Sequence, residues 1–133
     1  MKISKEDFES MKLKYDKEVK KGEPAKGKSG KDKIDQTNWI FFDRETLERL
    51  LAKADKDPKI GGIQFYFTEY TEEVASKYYP NDADKLTGAL TLVMRPANLK
   101  EGQDSAEILE TEDDYENRGT MCPPFCKPEP TNS

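Results

Sequence analysis

Two hydrophobic periods run along this chain, one helical and one alternating, and they divide it into segments. Phe8, Met11, Tyr15 and Val19 recur at helical spacing on an otherwise charged stretch, which predicts one amphipathic helix. Its start is marked by Ser4 as N-cap, with Asp7 at the third helical position and Ile3 placed to pack on Phe8. Lys21-Gly22 predicts its end. Residues 22–35 are rich in Gly, Lys and Ser, with little to bury, and read as a flexible linker. Asn38-Trp39-Ile40-Phe41-Phe42 has apolar residues at both parities, the pattern of a central strand covered on both faces. Asp43 then caps a helix running to about Ala54, with Leu47, Leu50, Leu51 and Ala54 on one face, and Asp55-Lys56-Asp57-Pro58 stops it.

After Gly61-Gly62, the residues Ile63, Phe65 and Phe67 alternate with Gln64, Tyr66 and Thr68, predicting a strand whose Ile/Phe face lies on the core while the other is wetter. Thr71-Glu72-Glu73 opens a short helix carrying Val74, Ala75 and Tyr78, ended by Pro80-Asn81-Asp82. Leu90, Leu92 and Met94 alternate with Thr91 and Val93 in a third strand, stopped by Pro96. The acidic stretch that follows, with Glu110, Glu112, Asp113, Asp114 and Glu116, reads as a surface loop with a short extra strand at residues 107–109.

The class is therefore α+β: a small mixed sheet of three or four strands, one or two packed helices, an N-terminal amphipathic helix and a long irregular C-terminal arm. The expected divisions are a helix over 1–21, a linker over 22–35, a compact core over 36–99, and an acidic arm with a Cys-Pro tail over 100–133. If the first two core strands pair directly, the β-helix-β step makes them parallel. No internal repeat interrupts this picture.

Charge changes the picture next. Of the 133 residues, 37% are charged, and the net charge is −5. That balance lacks the clustered positive potential that nucleic acid or an anionic membrane requires. Lysines concentrate in the first third of the chain, where they read as a solvated surface. No apolar run has the length of a signal peptide or a membrane span. With two cysteines, a secreted disulfide framework is not indicated, and a cytoplasmic location is expected.

Gly22-Glu23-Pro24-Ala25-Lys26-Gly27-Lys28-Ser29 matches the text of a phosphate-binding loop, with Lys28 and Ser29 as the nucleotide-binding residues. A working loop follows a buried strand and opens a helix whose N-terminus faces the anion. Here a lysine-rich helix precedes the match, and no helix start follows it.

The chain has no histidine, which removes Ser-His-Asp, Cys-His and His-ligated metal chemistry. Glu69 and Asp43 remain as carboxylates near strand ends, with Asp43 read first as a cap. Asp82-x-Asp84 lacks the remaining ligands and the glycine of a calcium loop. No catalytic residue, cofactor or metal site is assigned, and a non-catalytic protein is expected.

Cys122-Pro123-Pro124-Phe125-Cys126 is the one local pattern with unusual character. A disulfide across it is worth about 2 kcal/mol by chain entropy. In polyproline form, however, the four steps span about 12 Å, against the roughly 7 Å that bridged Cα atoms tolerate, so a turn is needed. Two thiolates make half a zinc shell. The remaining reading is an extended segment whose Phe125 and cysteines pack on the domain or in a partner's groove.

Together with the three aromatic or aliphatic blocks before it, this segment resembles small uncharacterised proteins of Bacteroidota. The resemblance implies a bacterial cytoplasmic origin and brings no activity. The leading expectation is a non-catalytic interaction or accessory protein with a protein partner or self-association, in which the aromatic sheet and the Cys-Pro tail form or complete a binding surface, the candidate residues being Cys122, Pro123, Pro124, Phe125 and Cys126. The alternatives are a thiol redox or metal-responsive protein using Cys122 and Cys126, and a phosphate-loop nucleotide-binding protein.

Overall fold

A computed structural model describes residues 1–101, 106–110 and 114–126. Glu112, Asp113 and the residues after Cys126 lie outside the described residues. The chain is α+β, as its periodicities predict. In order, β1 (Lys2–Ile3) leads into α1 (Lys5–Lys17), then β2 (Trp39–Phe41), α2 (Arg44–Leu51), β3 (Gly61–Glu69), α3 (Glu72–Tyr78) and α4 (Ala83–Leu86). There follow β4 (Leu90–Glu101), β5 (Ala106–Glu110), β6 (Tyr115–Glu116) and β7 (Thr120–Cys122). Among the described residues, no helix is long and apolar enough to cross a membrane.

The helix starts follow from their caps. Ser4 Oγ accepts from Asp7 N–H at 3.0 Å, Asp43 Oδ1 from Thr46 N–H at 2.8 Å, and Thr71 Oγ1 from Val74 N–H at 3.0 Å. After α1, a 3-10 turn over Val19–Lys21 ends at Gly22, whose φ of 84° is the left-handed conformation that glycine adopts without penalty.

The main sheet has the order β1-β6-β4-β3, with β5 pairing farther along β4. Its spine is the antiparallel β3–β4 ladder, in register from Gly61↔Asn98 to Glu69↔Leu90. One face carries Tyr66, Thr68, Thr91, Val93 and Tyr115 and is covered by α1 and α3. Phe8 of α1 stacks on Tyr115 at 4.6 Å and meets Tyr66 edge-on at 4.9 Å, while Met11, Val74 and Ala75 complete this core. The other face carries Phe65, Phe67, Leu92, Met94 and Glu116. There α2 covers only the Met94 end, with Arg49 bonded to Glu116 at 2.5 Å.

Several expectations change. Trp39–Phe41 is not a central strand, because β2 pairs antiparallel with β7 in a separate two-stranded unit. Every described strand pairing is antiparallel, so β2 and β3 never form the parallel neighbours considered above. In β3 the Phe face points outward, Phe65 being 49% and Phe67 64% exposed, while Thr68 is fully buried. The physical reason is that α1 enters the core through Phe8 and Met11 on the Tyr66 side and reaches the Phe65/Phe67 parity only at the end of β3, where Tyr15 meets Phe67 and Lys14 lies by Glu69. Pro96 does not stop β4; it lies within the strand, opposite Ile63.

The 22–35 segment is mostly exposed, and hydrogen bonds tie it to the rest of the chain. Ala25 is buried, Lys26 N–H donates to Glu18, Lys33 N–H to Ala25 C=O, and Lys33 Nζ to Lys85 C=O. Lysine donors hold the segment down where apolar contacts are few. Asp114 and Glu116, expected on a surface loop, are buried and ion-paired with Lys53 and Arg49.

The inverted β3 face is checked by stability. In dilute solution Val93→Ala should lower unfolding free energy by about 2 kcal/mol or more, and Phe67→Thr should change it by about 0.5 kcal/mol or less. Urea titrations giving the reverse order would refute the assignment of faces.

Candidate functional site

The tail cysteines sit at the end of β7, and their setting begins with β2. The register Trp39↔Cys122, Ile40↔Met121 and Phe41↔Thr120 alternates the two faces of this unit. Ile40 and Met121 turn to the core, whereas Trp39 and Phe41 turn away from it. Gly119 is needed at the turn into β7, because a Cβ there would fall 2.6 Å from Phe41 O and 3.0 Å from the Phe42 ring.

Beyond β7 the chain reverses at Pro123-Pro124, where both preceding peptide bonds are cis, and Phe125 N–H donates to Met121 C=O at 2.8 Å. Cys122 and Cys126 are bridged, with Cα atoms 4.6 Å apart. The span objection raised from sequence assumed an extended segment; the turn removes it. Cys122 is buried and Phe125 is 51% exposed, so the Phe side chain is not packed into its own domain.

Trp39, Phe41, Thr120, Pro124, Phe125 and Cys126 line an open cleft of about 510 Å³. Trp39 also borders a second, of about 280 Å³, with Ile40, Phe67, Leu90 and Leu92 among its walls. The lining side chains carry no formal charge. They offer aromatic faces and a proline ring, with one hydroxyl, and so suit apolar contact rather than proton transfer. Pro124, Phe125 and Cys126 were singled out from sequence. Trp39 and Phe41 belong to the aromatic run read from sequence as a strand but were not named there as site residues; their i, i+2 spacing was the available signal.

The other candidates lie elsewhere. Lys28 and Ser29 are in a 3-10 turn within the docked 22–35 segment, preceded by α1 and followed next by β2, so the strand-loop-helix context is missing. Lys28 Nζ is on Asp84 at 2.7 Å. Asp43 serves as the α2 cap, and the Thr46 N–H it accepts holds its carboxyl below the usual range. Among the described residues, no group of three or more candidate ligands is placed to hold a metal ion.

Glu69 belongs to a different network. It is fully buried, 3.4 Å from Lys14 Nζ, and Val19 N–H points at it. Burial first, then the neighbouring Glu18 carboxyl, pushes Glu69 from 4.5 up to about 7. For Glu18, burial acts upward, but hydrogen bonds from Lys14, Lys26 N–H and the Glu69 carboxyl outweigh it and lower the value. The pair closes the junction of α1, the 22–35 segment and β3, away from any cleft described above.

Comparison with known proteins finds no match to a protein-family model, to a curated protein or to a solved structure.

Folded Glu69 keeps a proton that the unfolded chain releases above about pH 4.5. Its contribution to stability is therefore intact below that pH and is lost as pH rises through about 7, at most about 3 kcal/mol. Glu69→Gln, which mimics the protonated form, should raise the urea midpoint at pH 8 and leave it nearly unchanged at pH 5. Equal shifts at both pH values would contradict this.

Proposed function

We propose that this protein is a non-catalytic binding module whose aromatic cleft takes an extended, proline-containing segment of a protein partner. The supporting observation is the cleft itself: Trp39 and Phe41 at alternate positions of β2 face Pro124 and half-exposed Phe125. Rings set along an uncharged groove suit a polyproline-type ligand, which arrives already extended and loses little conformational entropy on docking. The absence of histidine and of carboxylates in the cleft lining leaves nothing there for acid-base work.

In this reading the Cys122–Cys126 bridge is a clamp. It closes the loop that carries Phe125 and so sets the second wall of the cleft opposite β2.

The chain has a single tryptophan, so the emission of Trp39 reports occupancy directly. An array of proline-rich peptides should contain members that shift that emission. Phe125→Ser and Phe41→Ser should each weaken binding by about tenfold or more, the loss of about 1.4 kcal/mol. An array with no binder, or binders indifferent to both substitutions, would overturn the reading.

A second reading is favoured by the bridge alone: a thiol redox function in which Cys122 and Cys126 interconvert between dithiol and disulfide. In the cytoplasm expected from the sequence, the pair would be held reduced. Opening it would free the Phe125 loop and loosen the cleft. Denatured protein purified without reductant should then show no free thiol, and two after reduction. The peptide affinity should differ between the two forms, whereas a bridge that resists reduction at a cytosolic glutathione poise would exclude the redox role.

A further inference from the structure

Lys14 Nζ stands at the junction of α1, the 22–35 segment and β3. It donates to both Glu18 oxygens, at 2.7 and 2.9 Å, and to Lys26 C=O at 2.8 Å. Those bonds use the three donors of an ammonium group. Glu69 Oε1 lies 3.4 Å from the same Nζ, is buried, and accepts no hydrogen bond among the described residues. Glu69 Oε2 receives a long one from Val19 N–H, at 3.4 Å. Two carboxyl groups thus share one lysine, and Glu18 holds it. Protonated, Glu69 needs no cation and donates to Glu18.

The same cluster fastens the 22–35 segment. Lys26 N–H donates to Glu18 Oε1 at 2.6 Å, so both backbone groups of Lys26 end on Glu18 and Lys14. Lys26 C=O also sits so close over Gly88 that a Cβ there would fall 2.5 Å from it. Lys33 N–H donates to C=O of the buried Ala25 next to it. Farther along, Lys28 meets Asp84 through an exposed ion pair, which contributes little. The groups that face Glu69 are few. Lys14 and Glu18 come from α1 and Val19 N–H from the 3-10 turn, while β4 sets the uncharged Leu90 opposite it. From the 22–35 segment, the Lys26 ammonium is turned away onto Asp32.

We infer that the Lys14–Glu18–Glu69 cluster is a pH-sensitive latch on the 22–35 segment, fastened at Lys26 while Glu69 is protonated and released once Glu69 is charged. A charged Glu69 is a buried anion beside a second anion, with one cation between them. Relief comes from drawing Lys14 towards Glu69 or from admitting water, and both act on Lys26, whose C=O and N–H are the other partners of Lys14 and Glu18. Burial and the Glu18 carboxyl, which push Glu69 up to about 7, place the change near neutrality. The fastened form keeps a proton that the opened form releases, so the opening constant rises with pH between about 4.5 and about 7 and levels off above that. The loss falls on one segment while the β3–β4 ladder stays closed, and it is independent of the cleft at Trp39 and Phe125.

Amide exchange of the full chain, followed from pH 5 to pH 8 and corrected for base catalysis, reads the latch without substitution. The opening constants of the Lys26 and Lys33 N–H groups should rise by about fiftyfold over that range. At every pH they should exceed those of the β3–β4 ladder and be indifferent to low urea, the signature of a local opening. In Glu69→Gln the two constants should stay at the pH 5 level throughout. At pH 8, trypsin should cut after Lys26, Lys28, Lys31 or Lys33 at least about tenfold faster in the wild type than in this variant, with equal helix content by circular dichroism. Should the variant fail to fold, the wild-type pH series decides alone. The inference is overturned by Lys26 and Lys33 constants that do not change with pH, which would mean that Lys14 re-centres with the segment still docked. Constants equal to those of the ladder, or a pH response that persists in Glu69→Gln, would overturn it as well.

Discussion

The register of β3 against β4 is the constraint on which the rest of the molecule depends. Side chains alternate between the two faces of a strand, so this one pairing decides what each face presents. As paired, Tyr66, Thr68, Thr91 and Val93 share one face and Phe65, Phe67, Leu92 and Met94 the other. A slip of one residue along β3 would set Phe65 and Phe67 among the β4 residues beneath α1 and α3, and would turn Tyr66 and Thr68 out. The observed register is held on the helix-covered face by contacts with several elements at once. Phe8 bridges Tyr66 of β3 and Tyr115 of β6, and Tyr70 Oη donates to Asn117 Oδ1 at 2.6 Å just beyond the strand.

Charged groups then tie the elements together. Asp7 of α1 accepts from Lys77 and Tyr78 of α3, and Glu116 of β6 accepts from Arg49 of α2. Asp114 pairs with Lys53. Each link joins residues distant in the chain, and in each the carboxylate is the more buried partner. Such pairs add little net stability, since desolvation offsets much of their attraction. Removing one partner, however, strands a buried charge at a cost of about 3–5 kcal/mol. A chain with 37% charged residues thereby positions its elements with specific pairs where a more apolar protein would use volume alone.

The β2–β7 unit is the part least enclosed by this framework. Its inner side, Ile40 and Met121, is anchored in the core, and its outer side carries the aromatic cleft. An aromatic surface held from its inner side is what the proposed binding role calls for, since a ligand then has less to order on docking. The Cys122–Cys126 bridge extends that order to the loop beyond β7.

Local chemistry was legible from residue order alone. Ser4, Asp43 and Thr71 cap their helices because a side-chain oxygen three residues before an amide needs no distant partner. Helical and alternating periods likewise identified α1, α2, β3 and β4, and with them the α+β class. The Cys-Pro segment stood out by composition. What the sequence could not contain was which face of β3 is covered, since Phe65 and Phe67 are the more apolar parity and yet face out. That outcome depends on where α1 and α3 dock, as does the burial of Asp114 and Glu116, whose partners lie more than sixty residues away. The same holds for the cleft: β2 and β7 are separated by most of the chain, and only their pairing brings Trp39 opposite Cys122. Short-range order followed from neighbouring residues, while faces, edges and the cleft were decided by long-range contacts.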